Sequence, residues 1–203
     1  MRKRKSKKLN LRPTVRIYCE GKTEENYFNM LKKKYRQSNV YPIKIKSMAR
    51  SGMTLLHDVL EDPKLNKHDK IYLVFDRDEH DNKELLKCFD QARKSPYDIT
   101  ILFSSICFEI WILMHFESVN AHYERKQLFN KLSGKKYFDE EYSRNKGEKI
   151  DILYDKVGTA VKNANRISSP ADKSANASTK IIRSDPYTNI NLYLKDIFQT
   201  EQY

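Results

Sequence analysis

The residues best placed to do chemistry in this chain are acids at the ends of apolar runs. Glu20 follows TVRIYC (14–19), and Asp76 and Asp78 follow KIYLVF (70–75). If both runs are strands of one parallel sheet, these carboxylates gather at its carboxyl edge, where open α/β folds bind ligands. Like charges so gathered repel and lose solvation, a state tolerated mainly when a cation compensates. Oxygen-only ligands favour hard ions, so Mg²⁺ or Mn²⁺ is the expected cofactor. Such an ion can hold a scissile phosphate, activate water and stabilise the leaving oxygen of a phosphodiester. Taken singly, a Glu before Gly is commonly a turn residue and a DxD a solvated loop; the joint pattern is what points to a metal site. Glu109 interrupts the apolar stretch SSICFEIWILMHFE (104–117). A buried carboxylate must find a partner, and a structural ion pair with a lysine or arginine is the plain account of it.

The elements that must position these groups read as alternating strands and helices. Thr14 to Cys19 is a β-branched and aromatic strand, followed by a helix from about Thr23, a plausible N-cap, to Tyr35, with Tyr27, Phe28, Leu31 and Tyr35 on one face. Pro42 to Ser47 alternates like a strand, and Gly52 opens a helix that Pro63 stops. Lys70 to Phe75 reads as a buried central strand. A helix bearing Leu85, Leu86, Phe89 and Ala92 follows, then a strand over Asp98 to Phe103 and an apolar helix over Phe108 to Phe116. This order implies an α/β fold, a parallel sheet with helices on both faces. After about Ser118 the pattern turns to polar helices with no obvious further strand. The expected division is a basic arm over 1–13, an α/β core over 14–118 and a helical appendage over 119–203. Within the appendage, 163–186 is read as a mobile loop before a last helix from about Thr188 to Phe198.

Composition bounds the class. The chain has 203 residues, 39% hydrophobic and 33% charged, with a net charge of +12. Apolar runs such as Ile110 to Met114 are too short to cross a bilayer, and no apolar signal segment follows the basic N-terminus, so a cytoplasmic protein is expected. Cys19, Cys88 and Cys107 form no CxxC pair and sit in apolar stretches, as reduced buried thiols would. Residues 1–16 carry eight Lys or Arg and no acid, and seven more lie between Asn26 and His57, again without an acid. Nucleic acid gains from releasing counterions to such patches, although a solubilising tail and a solvated helix face would look the same. Lys3, Arg4, Lys5, Lys7, Lys8, Lys32 and Lys33 are the candidate phosphate contacts, and Lys22 joins them or is a solvated loop lysine.

Glu20-Gly21 followed by a hydrophobic strand and Asp76-Arg77-Asp78 resembles the Toprim signature. Three stretches, IYCEGKTEENYF (17–28), IYLVFDRDEH (71–80) and SSICFEIWILMHFE (104–117), resemble the RloB-like family, and SDPYTNINLYL (184–194) resembles its closing helix more weakly. The resemblance implies a Toprim-like, Rossmann-like sheet and a Toprim-containing antiphage protein of the kind encoded beside an ATPase. It implies Glu20, Asp76 and Asp78 as metal ligands, and Glu24 as the second acid of the motif, able to project back from the helix and share a second metal. A first-turn acid favoured by the helix dipole is the plainer account of Glu24. The resemblance also gives Glu109 a site role, as ligand or base. His80 and His115 can shuttle protons but more often hydrogen-bond locally.

The expected function is therefore a Mg²⁺- or Mn²⁺-dependent nuclease, a toxic defence effector, with DNA or RNA (tRNA among them) as substrate and oligomeric state left open. The alternatives are a nucleic-acid-binding or sensing subunit without catalysis, and a DxD phosphatase. The phosphatase motif normally carries Thr or Val where this chain has His80, and it begins the fold rather than following a third strand.

Overall fold

The structure, a computed structural model, describes residues 13–77, 80–144 and 146–203. Its centre is a five-stranded sheet: β1 (Val15–Cys19), β2 (Ile43–Ser47), β3 (Lys70–Asp76), β4 (Asp98–Ser105) and β5 (Tyr187–Thr188), in the order β2-β1-β3-β4-β5. The first four pair in parallel, and β5 runs antiparallel beside Ser104 and Ser105. This is an α/β, Rossmann-like architecture.

The crossovers explain which helix covers which face. From β1 the chain moves outward to β2 through α1 (Lys22–Lys34), then returns past β1 to β3 through α2 (Gly52–Leu60), and reaches β4 through α3 (Asn82–Lys94). Right-handed crossovers that reverse direction must switch faces. Accordingly, two hydrophobic clusters flank the sheet. One gathers Tyr27, Phe28 and Leu31 of α1 with Ile17 and Cys19 of β1 and Tyr72 and Val74 of β3. The other gathers Leu55, Leu56 and Val59 of α2 and Leu85 and Cys88 of α3 with Tyr18, Leu73 and Phe75. Strand residues thus alternate between the clusters, as the period of two requires. The reversal falls between β1 and β3, where such folds open a crevice at the carboxyl edge.

After β4 come α4 (Glu109–Met114), α5 (Arg125–Leu132), a 3-10 segment (Ile150–Lys156), α6 (Val157–Ala164), two 3-10 turns (Pro170–Lys173 and Ala175–Ala177), α7 (Ser178–Arg183), β5 and α8 (Ile190–Phe198). Two expectations are corrected here. A further strand does exist: the chain after Ser118 returns to the sheet as β5, too short to show periodicity. The stretch 163–186, expected as a loop, holds the end of α6, both 3-10 turns and α7, with Ile181 and Ile182 buried beneath α3 and Asp172 ion-paired to Lys180 at 2.6 Å. Leu128, Leu153, Val157, Leu194 and Phe198 join the same cluster as α1, so the C-terminal helices share one core with the sheet. Cys19, Cys88 and Cys107 are free and buried. Among the described residues no helix is long and apolar enough to cross a membrane.

Candidate functional site

Strand parity divides the acids at the sheet edge. Tyr72 and Val74 face the α1 cluster, so Asp76, two further along β3, faces it too. There it meets Glu24 of α1 and Glu109 of α4. Glu20 is one residue beyond Cys19, whose side chain is in the α1 cluster, so its parity is opposite and it turns toward α2.

The half facing α1 is dry. Glu24, Asp76 and Glu109 are 4%, 5% and 0% exposed. Burial raises Asp76 well above the usual carboxylate range, and the neighbouring charges of Glu24, Glu109 and Glu20 push it further. Burial likewise lifts Glu24, to about 7; its own backbone hydrogen bond and Lys146 pull the other way, while Glu109 and Glu20 add to the rise. Glu24 Oε2 accepts the Gly21 N–H at 3.1 Å. Gly21 itself is extended, with φ −127°. Its missing Cβ matters for space, because a Cβ there would stand 2.9 Å from Glu24 Oε2. Glu109 finds the partner its position demanded: Lys146 Nζ lies 3.0 Å from Oε1, and the Tyr142 hydroxyl 3.5 Å from the same atom. Burial would lower Lys146, but Glu109, then Glu24 and Asp76, raise it and keep it charged. Even so, Asp76 Oδ1 and Glu109 Oε2 are buried with no hydrogen-bond partner among the described residues.

The half facing α2 is wetter and better satisfied. Glu20 Oε2 accepts the Ser51 hydroxyl at 2.8 Å and lies 3.4 Å from the Asp76 N–H. Ser51 Oγ in turn is 2.9 Å from His80 Nε2. Ser51 holds this place because it immediately precedes α2, where Gly52 adopts φ +51°, a conformation that favours glycine. A 310 Å³ pocket beside the chain is lined by Ser51, Thr54, His80, Glu84 and Cys88.

Lys22 is 77% exposed and paired with Glu25, as a solvated lysine is. Lys32 and Lys33 are exposed in the last turn of α1, roughly 12 Å along the axis from Glu24 at the usual helical rise. His115 is buried between Tyr27 Oη, 3.1 Å away, and the Trp111 carbonyl, and burial lowers it to about 4, so it is a core residue. Thr23 lies inside α1, whose N-cap is Gly21. Asp78 and the arm residues Lys3, Arg4, Lys5, Lys7 and Lys8 lie outside the described residues. Lys146, Tyr142 and Ser51 were not foreseen; the one signal was that Glu109 required a counter-charge, which did not say which lysine would supply it.

Among the described residues no three His, Cys, Asp or Glu side chains stand close enough together to hold an ion as they lie. The donor chemistry nevertheless fits a hard cation, since two buried carboxylate oxygens have no donor and the acids carry an uncompensated cost of burial. Fold and site together define an α/β protein with a Rossmann-like sheet whose switch point is lined by buried carboxylates. A family model described as RloB-like protein matches residues 15–197, nearly the whole chain, and the protein belongs to the RloB-like family. No curated protein and no solved structure matches it.

Proposed function

We propose that the protein is a metal-dependent nuclease cleaving phosphodiesters of DNA or RNA. The observation that carries this reading is the trio Asp76, Glu24 and Glu109, buried together at the switch point with Asp76 Oδ1 and Glu109 Oε2 unpartnered. An acid cluster held at such cost is what a protein retains when a ligand repays it. Asp76 and Glu24, with Glu20 at the edge, would hold Mg²⁺ or Mn²⁺, and Asp78 follows them in sequence. The ion would supply Lewis-acid stabilisation of the reacting phosphate and a lowered pKa for water. The chain's own groups would do the rest. Ser51 would fix the rotamer of Glu20, and Glu109, with the Tyr142 hydroxyl 3.5 Å from its Oε1, would accept a proton. Net charge of +12, much of it in the N-terminal arm and along 26–57, would draw the polyanion to this edge. Family membership supports a further part of the proposal, that the nuclease is a toxic antiphage effector restrained by an ATPase encoded alongside.

Incubating the protein with plasmid, single-stranded DNA and total RNA in Mg²⁺, Mn²⁺ or EDTA tests it. Cleavage that needs the ion and is lost in Asp76→Asn is expected; nucleic-acid binding without cleavage in any arm would overturn it. That second outcome would favour a non-catalytic binding module, the reading to which the Lys146–Glu109 ion pair lends support, because it partly neutralises the cluster without a metal. A small phosphomonoester in parallel separates a nuclease from a DxD phosphatase.

A further inference from the structure

The acid cluster already contains a cation, and the chain delivers it from outside the sheet. Lys146 lies on the segment between α5 and the 3-10 helix at Ile150–Lys156. That segment is laid on the first turn of α1: the Gly147 carbonyl accepts from Asn26 Nδ2 at 3.0 Å, and Gly147 has φ +83°. A Cβ at Gly147 would stand 3.0 Å from Thr23 Cα, so backbone meets backbone beside Glu24. The ammonium therefore arrives next to Glu109 because its neighbour is pinned to the helix that carries Glu24.

One lysine does not complete this pocket. It faces Glu109, Glu24 and Asp76 with a single charge, and leaves Asp76 Oδ1 and Glu109 Oε2 without donors. Its side chain is also 35% exposed, and the face of Phe129, 5.4 Å from Nζ, offers the ammonium a second favourable contact. It is thus seated in the pocket with part of its side chain open to solvent.

Resting on the metal reading above, we propose that Lys146 and a divalent cation are alternative occupants of the pocket formed by Glu109, Glu24 and Asp76. Loading the ion displaces the ammonium from Glu109 toward solvent. Lys146 thereby sets the affinity of the site, because the ion must compete with a tethered charge. A substrate phosphate that pairs with the released ammonium favours loading, and by linkage the ion then favours the substrate equally.

The test is a Mn²⁺ titration by calorimetry of the full chain as wild type, Lys146→Gln and Asp76→Asn. We expect Lys146→Gln to bind Mn²⁺ on the order of tenfold more tightly than wild type, since one nearby like charge is gone, and Asp76→Asn to lose the binding. Equal or weaker binding in Lys146→Gln, with Asp76-dependent binding intact in wild type, overturns the competition and leaves the metal site standing. Absence of Asp76-dependent binding in wild type and Lys146→Gln alike overturns both. Should Lys146→Gln fold poorly, wild type alone suffices. The rate of Lys146 acetylation, read by mass spectrometry, should rise several-fold on adding Mn²⁺, and an unchanged or lower rate overturns displacement.

Discussion

The two halves of the sheet edge start from the same kind of sequence, an apolar strand ending in an acid, and finish in opposite environments. Asp76, by its parity, enters the space between α1 and α4, where Glu24 and Glu109 are sealed from water and Lys146 reaches in from a partly exposed position. Glu20, with the other parity, meets the hydroxyl of Ser51 and through it His80, in reach of solvent. The first half stores electrostatic cost and the second dissipates it in neutral hydrogen bonds. A ligand of positive charge gains most where the cost is stored, so the dry half should govern binding of the ion and the wet half the aim of one carboxylate.

The largest expected difference between the halves is in activity. Asp76→Asn should lower cleavage by at least about a hundredfold, the scale on which single electrostatic groups contribute to catalysis, whereas Ser51→Ala should cost nearer tenfold, as loss of a supporting hydrogen bond around a metal site does. Rate measurements in saturating Mn²⁺ check both, and equal losses would erase the distinction between the halves.

A second difference concerns pH. Glu24 titrates near 7 in the folded protein, from an ordinary value of 4.5, and Asp76 is raised as well. In this window the native state binds more protons than the unfolded state, so stability is fully present below about 4.5 and is lost as pH rises toward 7. In EDTA the melting temperature should therefore fall between these values, and Glu24→Gln should flatten the fall. Ser51→Ala should leave the slope as it is. Thermal melts across pH decide this, and a flat wild-type profile would mean the carboxylates are not buried together.

The smallest effect belongs to the basic arm. Removing residues 1–12 should raise KM and reduce the salt dependence of nucleic-acid binding while kcat holds, because phosphate contacts position a substrate without doing chemistry. A salt slope identical to that of the full chain would show the arm to be a bystander.

Much of the frame is legible in the sequence because it is local. β1 and β3 are β-branched or aromatic runs, α1 and α3 show helical periodicity, and the acids sit where those runs end. Glu109 stands out because nothing else in its helix is polar until His115. What escapes is tertiary. β5 is two residues long, so no periodicity announces it. Lys146 lies in the stretch SRNKGEK, chemically like any other exposed lysine until Gly147 is pinned to α1. Ser51 gains its role from a strand end 31 residues earlier. The turns within 163–186 are built from Ser, Ala and Asn, whose polarity reads as loop although Asp172, Lys180 and Tyr187 tie them down.

The most direct measurement is the melting temperature of wild type and Asp76→Asn, each in EDTA and in Mn²⁺. Because Asp76 is a buried, disfavoured charge, the substitution should leave stability in EDTA unchanged or raised, and Mn²⁺ should stabilise wild type by mass action but not the variant. An equal rise with Mn²⁺ in both proteins would remove Asp76 from the site and contradict the metal centre.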